Sequence, residues 1–198
     1  ILCKKNNNSI VEVNQKIDSQ IHVNLCEDFI NMYFKSQKSV TKSFLTVCMD
    51  AYIERESEIS LLIDKAIKDK QNILIFARGY SQNFKRNIKN IIVNSGVLIY
   101  PYEVKFNNED PFLLSDISEI IDIDVYSLEK GDNITKNLVE KSKIKTLKVN
   151  PHNITFFETN KKLLKKINES LKSTNDSDLR KYLLKRKKRV SSNITEVL

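Results

Sequence analysis

Few side chains in this sequence have both the type and the spacing that catalysis requires. Paired carboxylates of the kind used in general acid–base chemistry occur at Glu109 and Asp110, and again at Asp122 and Asp124. No partner base stands near either pair. Ser81 follows Gly79 but lacks the second glycine of a nucleophile elbow, and no histidine lies near it. The sequence therefore predicts no catalytic residue.

The sequence also lacks the patterns typical of metal binding, of a disulfide framework and of phosphate binding. The two histidines, His22 and His152, are far apart and no Cys-x-x-Cys pair accompanies them, so we expect no metal site. Cys3, Cys26 and Cys48 are odd in number and widely spaced, which argues against a disulfide framework and favours a reducing compartment. A glycine-rich phosphate-binding pattern is also missing.

The positive charge of the chain is concentrated at one end. The 198 residues are 40% hydrophobic and carry a net charge of +8, a size that suits one domain or one domain with an appendage. Residues 161–198 contain twelve Lys and Arg against four Asp and Glu, whereas residues 1–160 are neutral. The basic character thus belongs to the C-terminal segment, which weakens any argument for a nucleic-acid-binding body.

Targeting and membrane signals are not apparent in the sequence. No apolar run approaches the roughly eighteen residues of a membrane span. The chain starts Ile1-Leu2-Cys3, with neither an initiator Met nor a signal-peptide layout. We expect a piece of a longer chain that is not secreted.

The clearest structural pattern is a strand–turn–helix unit. An apolar run over 72–77 is followed by a turn over 78–81 and a helical pattern over 83–93, with Ser81 as candidate N-cap. The apolar positions of the helix are Phe84, Ile88, Ile91 and Ile92. A functional site is expected at the carboxyl end of such a strand and along the next helix. Because catalytic residues are missing there, the unit predicts a platform that holds a ligand.

The remaining elements are weaker. Strands are predicted at 10–13, 21–25, 43–49, 97–100, 102–105 and 123–126, helices at 57–68 and about 111–120, and a β-hairpin at 144–149 and 154–157. Ser57 is the candidate N-cap of the helix at 57–68. Two apolar stripes on either side of residues 173–178 predict an antiparallel helical hairpin over 161–190.

Several segments together resemble the apical domain of group I chaperonins, the GroEL family. Ser43-Phe-Leu-Thr-Val-Cys-Met-Asp50 matches the family's serine-proline-phenylalanine strand that ends in Asp. Residues 72–77 match its P-L-L-I-I-A strand, and Leu114-Ser-Asp-Ile117 resembles its L-Q-D-I-A. The tail, Ile167-Asn-Glu-Ser-Leu and then residues 176–191, resembles its helical hairpin. The likeness covers nearly the whole chain, although no single motif is strong.

The sequence departs from the family at its turns. Asn107 and Asn108 stand near the family's Pro-Gly-Phe-Gly turn. Ile121 and Asp122 stand where a glycine pair is usual. Because glycine permits backbone conformations that other residues avoid, we expect these turns to have different conformations.

The resemblance implies an α/β fold, a GroEL-like apical domain with mixed β-sheets flanked by helices and a C-terminal helical hairpin. It divides the chain into three parts. Residues 1–15 would connect from the intermediate domain, residues 16–190 would form the apical domain with its hairpin at 161–190, and residues 191–198 would begin the return strand.

The function implied by the resemblance is the binding of non-native polypeptides and of a co-chaperonin mobile loop during ATP-dependent folding. ATP and Mg²⁺ would bind elsewhere in the full-length protein, so this segment is expected to be non-catalytic and without a cofactor. The full-length protein would form a homo-oligomeric ring, whereas the segment alone is expected to be monomeric. Bacterial-type cytoplasm, mitochondrion and plastid all remain open as compartments.

In the family, capture occurs in an apolar groove between two helices and a neighbouring extended segment. Here these would be the helices at 57–68 and 81–93 and the segment at 25–30. The matching positions are Leu25, Phe29, Ser60, Ile63, Lys85, Lys89 and Asn90. Ile63 also suits simple core packing. The two lysines suit either a solvated helix face or a groove that prefers acidic or amphipathic segments.

A different class of function remains open for the tail. The run Lys185-Arg-Lys-Lys-Arg189 is typical of nucleic-acid binding or nuclear targeting, so a basic adaptor acting through residues 180–189 is the alternative. Aromatic residues for base stacking are sparse there, with only Tyr182 nearby, and Tyr182 falls on the apolar stripe. We therefore expect a solvated helix face and no nucleic-acid partner.

Overall fold

The computed structural model describes four stretches of the chain, residues 19–108, 110–127, 134–157 and 161–191. Several sequence-based expectations lie outside them, namely the strand at 10–13, the connecting segment 1–15, nearly all of the return segment 191–198, and Glu109. The division into three parts stays a prediction.

Strands and helices alternate along the described residues. The strands are β1 (Ser19–His22), β2 (Asn24–Leu25), β3 (Val40–Met49), β4 (Tyr52–Ile53), β5 (Asn72–Ala77), β6 (Gly79–Tyr80), β7 (Ile99–Glu103), β8 (Val125–Tyr126), β9 (Lys143–Val149) and β10 (Asn153–Phe156). The helices are α1 (Glu27–Phe34), α2 (Ser60–Asp69), α3 (Gln82–Ser95), α4 (Leu113–Ile121), α5 (Ile134–Lys141), α6 (Lys161–Ser173) and α7 (Ser177–Val190). In these stretches no helix is long and apolar enough to cross a membrane.

The core of the molecule is a mixed sheet in the order β1-β10-β9-β3-β5-β7-β2, with β8 paired to β3. Strands β3, β5 and β7 run parallel and are connected through α2 and α3, while β9 runs antiparallel to β3. The middle of β5 is buried on both faces, which explains its unbroken apolar sequence. The mixed α/β fold expected from the sequence is therefore confirmed.

One short segment closes this sheet. Strands β1 and β2 are adjacent in the chain, yet they lie at opposite ends of the strand order, because β1 pairs with β10 and β2 pairs with β7. Between them the Val23 amide donates to the His152 carbonyl at 3.1 Å, and the Tyr102 hydroxyl donates to the Asn150 carbonyl at 2.6 Å. Segment 19–25 thus covers two edges that would otherwise be open to pairing with other chains.

Helix α3 confirms the predicted strand–turn–helix unit. The Phe84 amide donates to the Ser81 hydroxyl at 3.0 Å, as expected for the N-cap, and Ile88 and Ile92 are buried with Phe84 against the sheet. The predicted N-cap of α2 is wrong. A 3₁₀ turn, Glu56–Ile59, precedes Ser60, and at its start the Glu58 carboxylate accepts hydrogen bonds from the backbone amides of Glu54 and Arg55.

The resemblance implied that the segment at 25–30 is extended. This expectation is wrong for most of the segment, because α1 begins at Glu27. Glu27 and Asp28 lie in the first turn, where carboxylates favour the helix dipole. Phe29 and Tyr33 are one helical turn apart and both are buried, and the Tyr33 hydroxyl donates to the Ile99 carbonyl at 2.6 Å. Because these two aromatic residues are four positions apart, they lie on one face of α1, and their burial holds this helix on the sheet.

Two other boundaries differ from the sequence-based expectation. The strand pieces at 97–100 and 102–105 form a single strand, β7, which includes Pro101. Helix α5 was not predicted from the sequence. The hairpin β9–β10 and the short helix α4 lie where they were expected.

The C-terminal helical hairpin is confirmed, but its basic run is not a simple solvated face. Helices α6 and α7 pack against each other through buried residues such as Leu163 and Leu183. Arg186 and Arg189 point towards α4, where both pair with the fully buried carboxylate of Asp116. Lys187 and Lys188 do face solvent.

Helices α2 and α3 each end at a residue whose backbone has the left-handed conformation, and these two positions allow a matched test of backbone strain. Gly96 ends α3 with φ of 71° and Lys70 ends α2 with φ of 52°. We expect Gly96→Ala to lower the free energy of unfolding by about 1 kcal/mol, although nothing would touch the added methyl group. Lys70→Gly should raise it by about 0.5–1 kcal/mol. Urea unfolding measures both, and equal signs would contradict the assignment of strain.

Candidate functional site

A cleft of about 800 Å³ lies beside several of the residues that the sequence singled out. It lies between the start of α1, the start of α3, the connection that follows β7, and α7. Its walls carry mainly charged and polar side chains, among them Cys26, Asp28, Lys85, Glu103, Asp110 and Lys185. The volume suits a ligand-sized or peptide-sized group, but the lining is more polar than that of most small-molecule sites.

Ion pairs join α1 to α3 along one wall of the cleft. Asp28 lies 3.5 Å from the Lys85 ammonium and 3.2 Å from that of Lys89, while Lys85 also lies 3.8 Å from Glu103. The Cys26 thiol donates to the Glu103 carboxylate at 3.4 Å. We call these five side chains the α1–α3 seam. Both lysines on which the groove prediction rested are therefore already paired within the chain.

The seam shifts the protonation of its members. Burial alone would raise the pKa of Asp28, but the hydrogen bond and charge of Lys89, together with Lys85, hold it below the ordinary value of 3.8. Burial, and then the neighbouring Glu103 carboxylate, raise the pKa of the Cys26 thiol. Asp28 therefore stays a carboxylate at neutral pH, and Cys26 stays a protonated thiol with little nucleophilic character.

The predicted binding residues are spread over different environments. Leu25, Phe29 and Ile63 are buried in the core, which fits the packing interpretation of such apolar residues. Ser60 and Asn90 are exposed on α2 and α3. Lys85 and Lys89 lie in the seam described above. A role in polypeptide binding stays a prediction for all seven positions.

Exposed apolar residues on the same two helices were missed by the sequence reasoning. Val93 on α3 is 77% exposed, and Leu61 and Ile67 on α2 are 45% and 39% exposed. Helical spacing places Val93 off the buried stripe of Phe84 and Ile88, a signal that was available in the sequence.

The carboxyl end of β5, where a site was also expected, is held by structural contacts. The Arg78 guanidinium donates to the Asp50 carboxylate at 2.5 Å and to the Val104 carbonyl at 3.3 Å, and it lies 5.9 Å from the ring centre of Phe106. The Ser81 hydroxyl donates to the Glu54 carbonyl, so it serves as a cap and a brace.

Among the residues that the structure describes, charged groups elsewhere do not form a second site. Asp122 is exposed and pairs with Lys143 at 3.0 Å, with no base placed beside it. Within the described stretches, no group of three or more His, Cys, Asp or Glu side chains is arranged to hold a metal ion. The tail offers fewer free cations than its sequence indicated, because Arg186 and Arg189 are engaged with Asp116.

Comparisons with known proteins match the fold and not the sequence. No family model and no curated protein matches the chain. Among solved structures, the chaperonin gp146 from the bacteriophage EL 2 (Pseudomonas aeruginosa), in the presence of ATP-BeFx, superposes with a TM-score of 0.69 at 14% identity in crystal form II. Crystal form I gives 0.66 at 15% identity. The matches cover 92% and 96% of this chain but only 38% and 39% of that chaperonin chain.

The seam makes a prediction about pH and salt. Asp28→Asn should lower the free energy of unfolding by about 1 kcal/mol or less at neutral pH and low salt, because the pairs are partly exposed. A depressed native pKa stabilises the fold above the unfolded pKa of about 3.9 and loses that effect as pH falls through the native value. The difference from wild type should therefore shrink below about pH 4, and also near 1 M salt.

Urea titrations of both proteins across that pH range measure this difference. Glu27→Gln is the matched control, since it removes an exposed carboxylate from the same helical turn. A difference that persists unchanged at low pH and high salt would show that Asp28 acts through something other than its charge.

Proposed function

Because the chain has a chaperonin-like domain fold, we propose that it is the polypeptide-binding apical domain of a divergent chaperonin. The observation that carries the proposal is the superposition of nearly the whole chain on a chaperonin of which it spans little more than a third. That share suits one domain of a larger folding machine.

The wider activity belongs to the same proposal. ATP and Mg²⁺ would bind outside this chain, the full-length protein would work as a homo-oligomeric ring, and residues 16–190 would capture non-native polypeptides and a co-chaperonin loop. The alternative of a basic adaptor acting through residues 180–189 is not favoured, since two of its arginines hold α7 to α4.

The chemistry of the cleft supports a particular kind of client. Its ion pairs are 3.2–3.8 Å long, and Lys105 and Lys185 are largely exposed. Pairs of this kind contribute about 0–1 kcal/mol each, so an incoming charged group replaces a partner at little cost. Since each lysine has a nearby carboxylate, a client segment must bring charges of both signs.

The exposed apolar side chains supply the non-specific part of binding. Leu61, Ile67 and Val93 lie on the two helices that the resemblance assigns to capture. Exposed apolar surface attracts the apolar side chains that an unfolded chain displays. We therefore expect amphipathic segments of mixed charge to bind more tightly than purely apolar segments.

Replacing two of these side chains tests the proposed capture surface. The double variant Leu61→Ser and Val93→Ser removes apolar surface that a bound client would bury. Loss of this burial corresponds to roughly 2 kcal/mol and about a thirty-fold loss of client affinity. Affinity is measured as binding of an unfolded, carboxymethylated protein, together with suppression of the aggregation of a heat-denatured enzyme.

The matched control is Ile144→Ser on β9, which is 58% exposed and lies away from α2 and α3. It should leave both measurements unchanged. Equal losses in control and double variant, or no binding by the wild-type chain, would argue against the proposed function.

A second measurement tests the expected client class. Two peptides of equal length are compared, one apolar with no charge and one amphipathic with alternating Lys and Glu. The mixed-charge peptide should bind more tightly at low salt and lose its advantage near 1 M salt, where charges are screened. An equal affinity at both salt concentrations would contradict the role assigned to the ion pairs.

A further inference from the structure

The connection between β7 and α4 links the cleft to the C-terminal hairpin. It runs through the described residues 104–108 and 110–112. Lys105, Asn107 and Asp110 from this connection line the cleft, and Lys185 of α7 lies beside them. The connection is therefore one wall of the cleft, and the α1–α3 seam is the opposite wall.

At its first end the connection is held by weak contacts. Lys105 lies 3.3 Å from Glu103, the member of the seam that also lies 3.8 Å from Lys85 and accepts from the Cys26 thiol at 3.4 Å. Lys105 is 78% exposed. An ion pair with one such exposed partner contributes little to stability, so the attachment of the connection to the seam yields easily.

At its second end the connection is held firmly by α7. Asp116 is fully buried, 2.7 Å from Arg186 and also paired with Arg189, which bridges to Asp110. The Arg186 guanidinium lies 4.5 Å from the ring centre of Phe112. A buried pair of this kind is costly to break, because removing one partner leaves the other charge without compensation.

A hydroxyl adds a third attachment. The Tyr182 hydroxyl donates to the Asn108 carbonyl at 2.9 Å, and its ring meets that of Phe112 edge to face at 6.4 Å. We call Asp110, Phe112, Asp116, Tyr182, Arg186 and Arg189 the α7 clamp. Through the α7 clamp, α7 contacts both the connection and the first turn of α4.

We propose that the position of the α6–α7 hairpin sets how far the cleft is open, with the β7–α4 connection as the moving wall. When α7 shifts, the clamp carries the connection along, and the weaker contact between Lys105 and Glu103 of the seam separates first. The rest of α1 stays in place, because Phe29 and Tyr33 anchor it in the core. Regulation of client binding by this movement rests on the proposed function, but the movement itself is tested without a client.

Two buried thiols report the opening independently. Cys26 lines the cleft, whereas Cys48 is fully buried in β3 and contacts the Leu114 carbonyl. Local opening exposes Cys26 alone, while global unfolding exposes both. In a Cys3→Ser background, labelling with a maleimide followed by mass-spectrometric peptide mapping gives the two rates separately.

Weakening the clamp should speed labelling of Cys26 about ten-fold and leave Cys48 unchanged. The variants are Asp110→Asn, which removes one partner of Arg189, and Arg189→Lys, which keeps the charge but loses the planar guanidinium whose two terminal nitrogens pair separately with Asp110 and Asp116. Asp116→Ala is not used in this comparison, because it removes the buried carboxylate that pairs with Arg186 and Arg189 and is expected to unfold the chain. Lys188→Gln, an exposed neighbour of Arg189, should change neither rate.

Lys85→Met is the positive control, since it breaks the seam directly and should also speed labelling of Cys26. Unchanged Cys26 labelling in both clamp variants, or a parallel rise at Cys26 and Cys48, would overturn the proposal. If the clamp variants label Cys26 faster as expected but the chain binds no client, the result contradicts only the proposed function.

Discussion

The carboxylate of Asp116 is the constraint on which the arrangement of the C-terminal half depends. It is fully buried, and two guanidiniums from α7 compensate its charge. An isolated carboxylate in such a place would be strongly unfavourable, so α4 and α7 are each stable in their position only when the other is present. In the run of five basic residues at 185–189, which looks like a surface feature, Lys187 and Lys188 thus face solvent, whereas Arg186 and Arg189 hold helices together.

The proposed capture surface combines a chaperonin-like fold with altered chemistry. In the chaperonin family to which this chain is similar in fold, the resemblance implies an apolar groove, but here Asp28, Lys85 and Lys89 join two of the three groove elements by charge. The apolar contribution lies at Leu61, Ile67 and Val93 instead. In the function proposed above, such a surface would select among segments by charge pattern as well as by hydrophobicity, because charge pairing depends on position while apolar contact does not.

Sequence reasoning recovered the parts of the fold whose signals are local. The strand at 72–77, the cap at Ser81 and the helical hairpin follow from apolar runs, capping chemistry and periodicity, all of which act within a few residues. It failed where partners are distant in the chain. The helix α1 depends on burial of Tyr33 against Ile99, and the inward direction of Arg186 depends on Asp116.

The same limit applies to the candidate site. Lys85 and Lys89 were recognised as unusual for a capture groove, but their pairing with Asp28 joins residues about sixty positions apart and leaves no local pattern. Exposure of Val93 could have been inferred, since the helical stripe around it is regular. The fold was therefore largely predictable, whereas the electrostatics of the site required the structure.

Closure of the sheet by segment 19–25 has a consequence for biosynthesis. Ser19 pairs with Phe156, so β1, the first strand of the described residues, waits during synthesis until β10 has been made. Until then β1 lacks its partner strand in the nascent chain, and pairings this distant in sequence form slowly. A domain proposed to hold unfolded chains thus exposes an unpaired strand of its own during synthesis, the same kind of surface that promotes aggregation in other nascent chains.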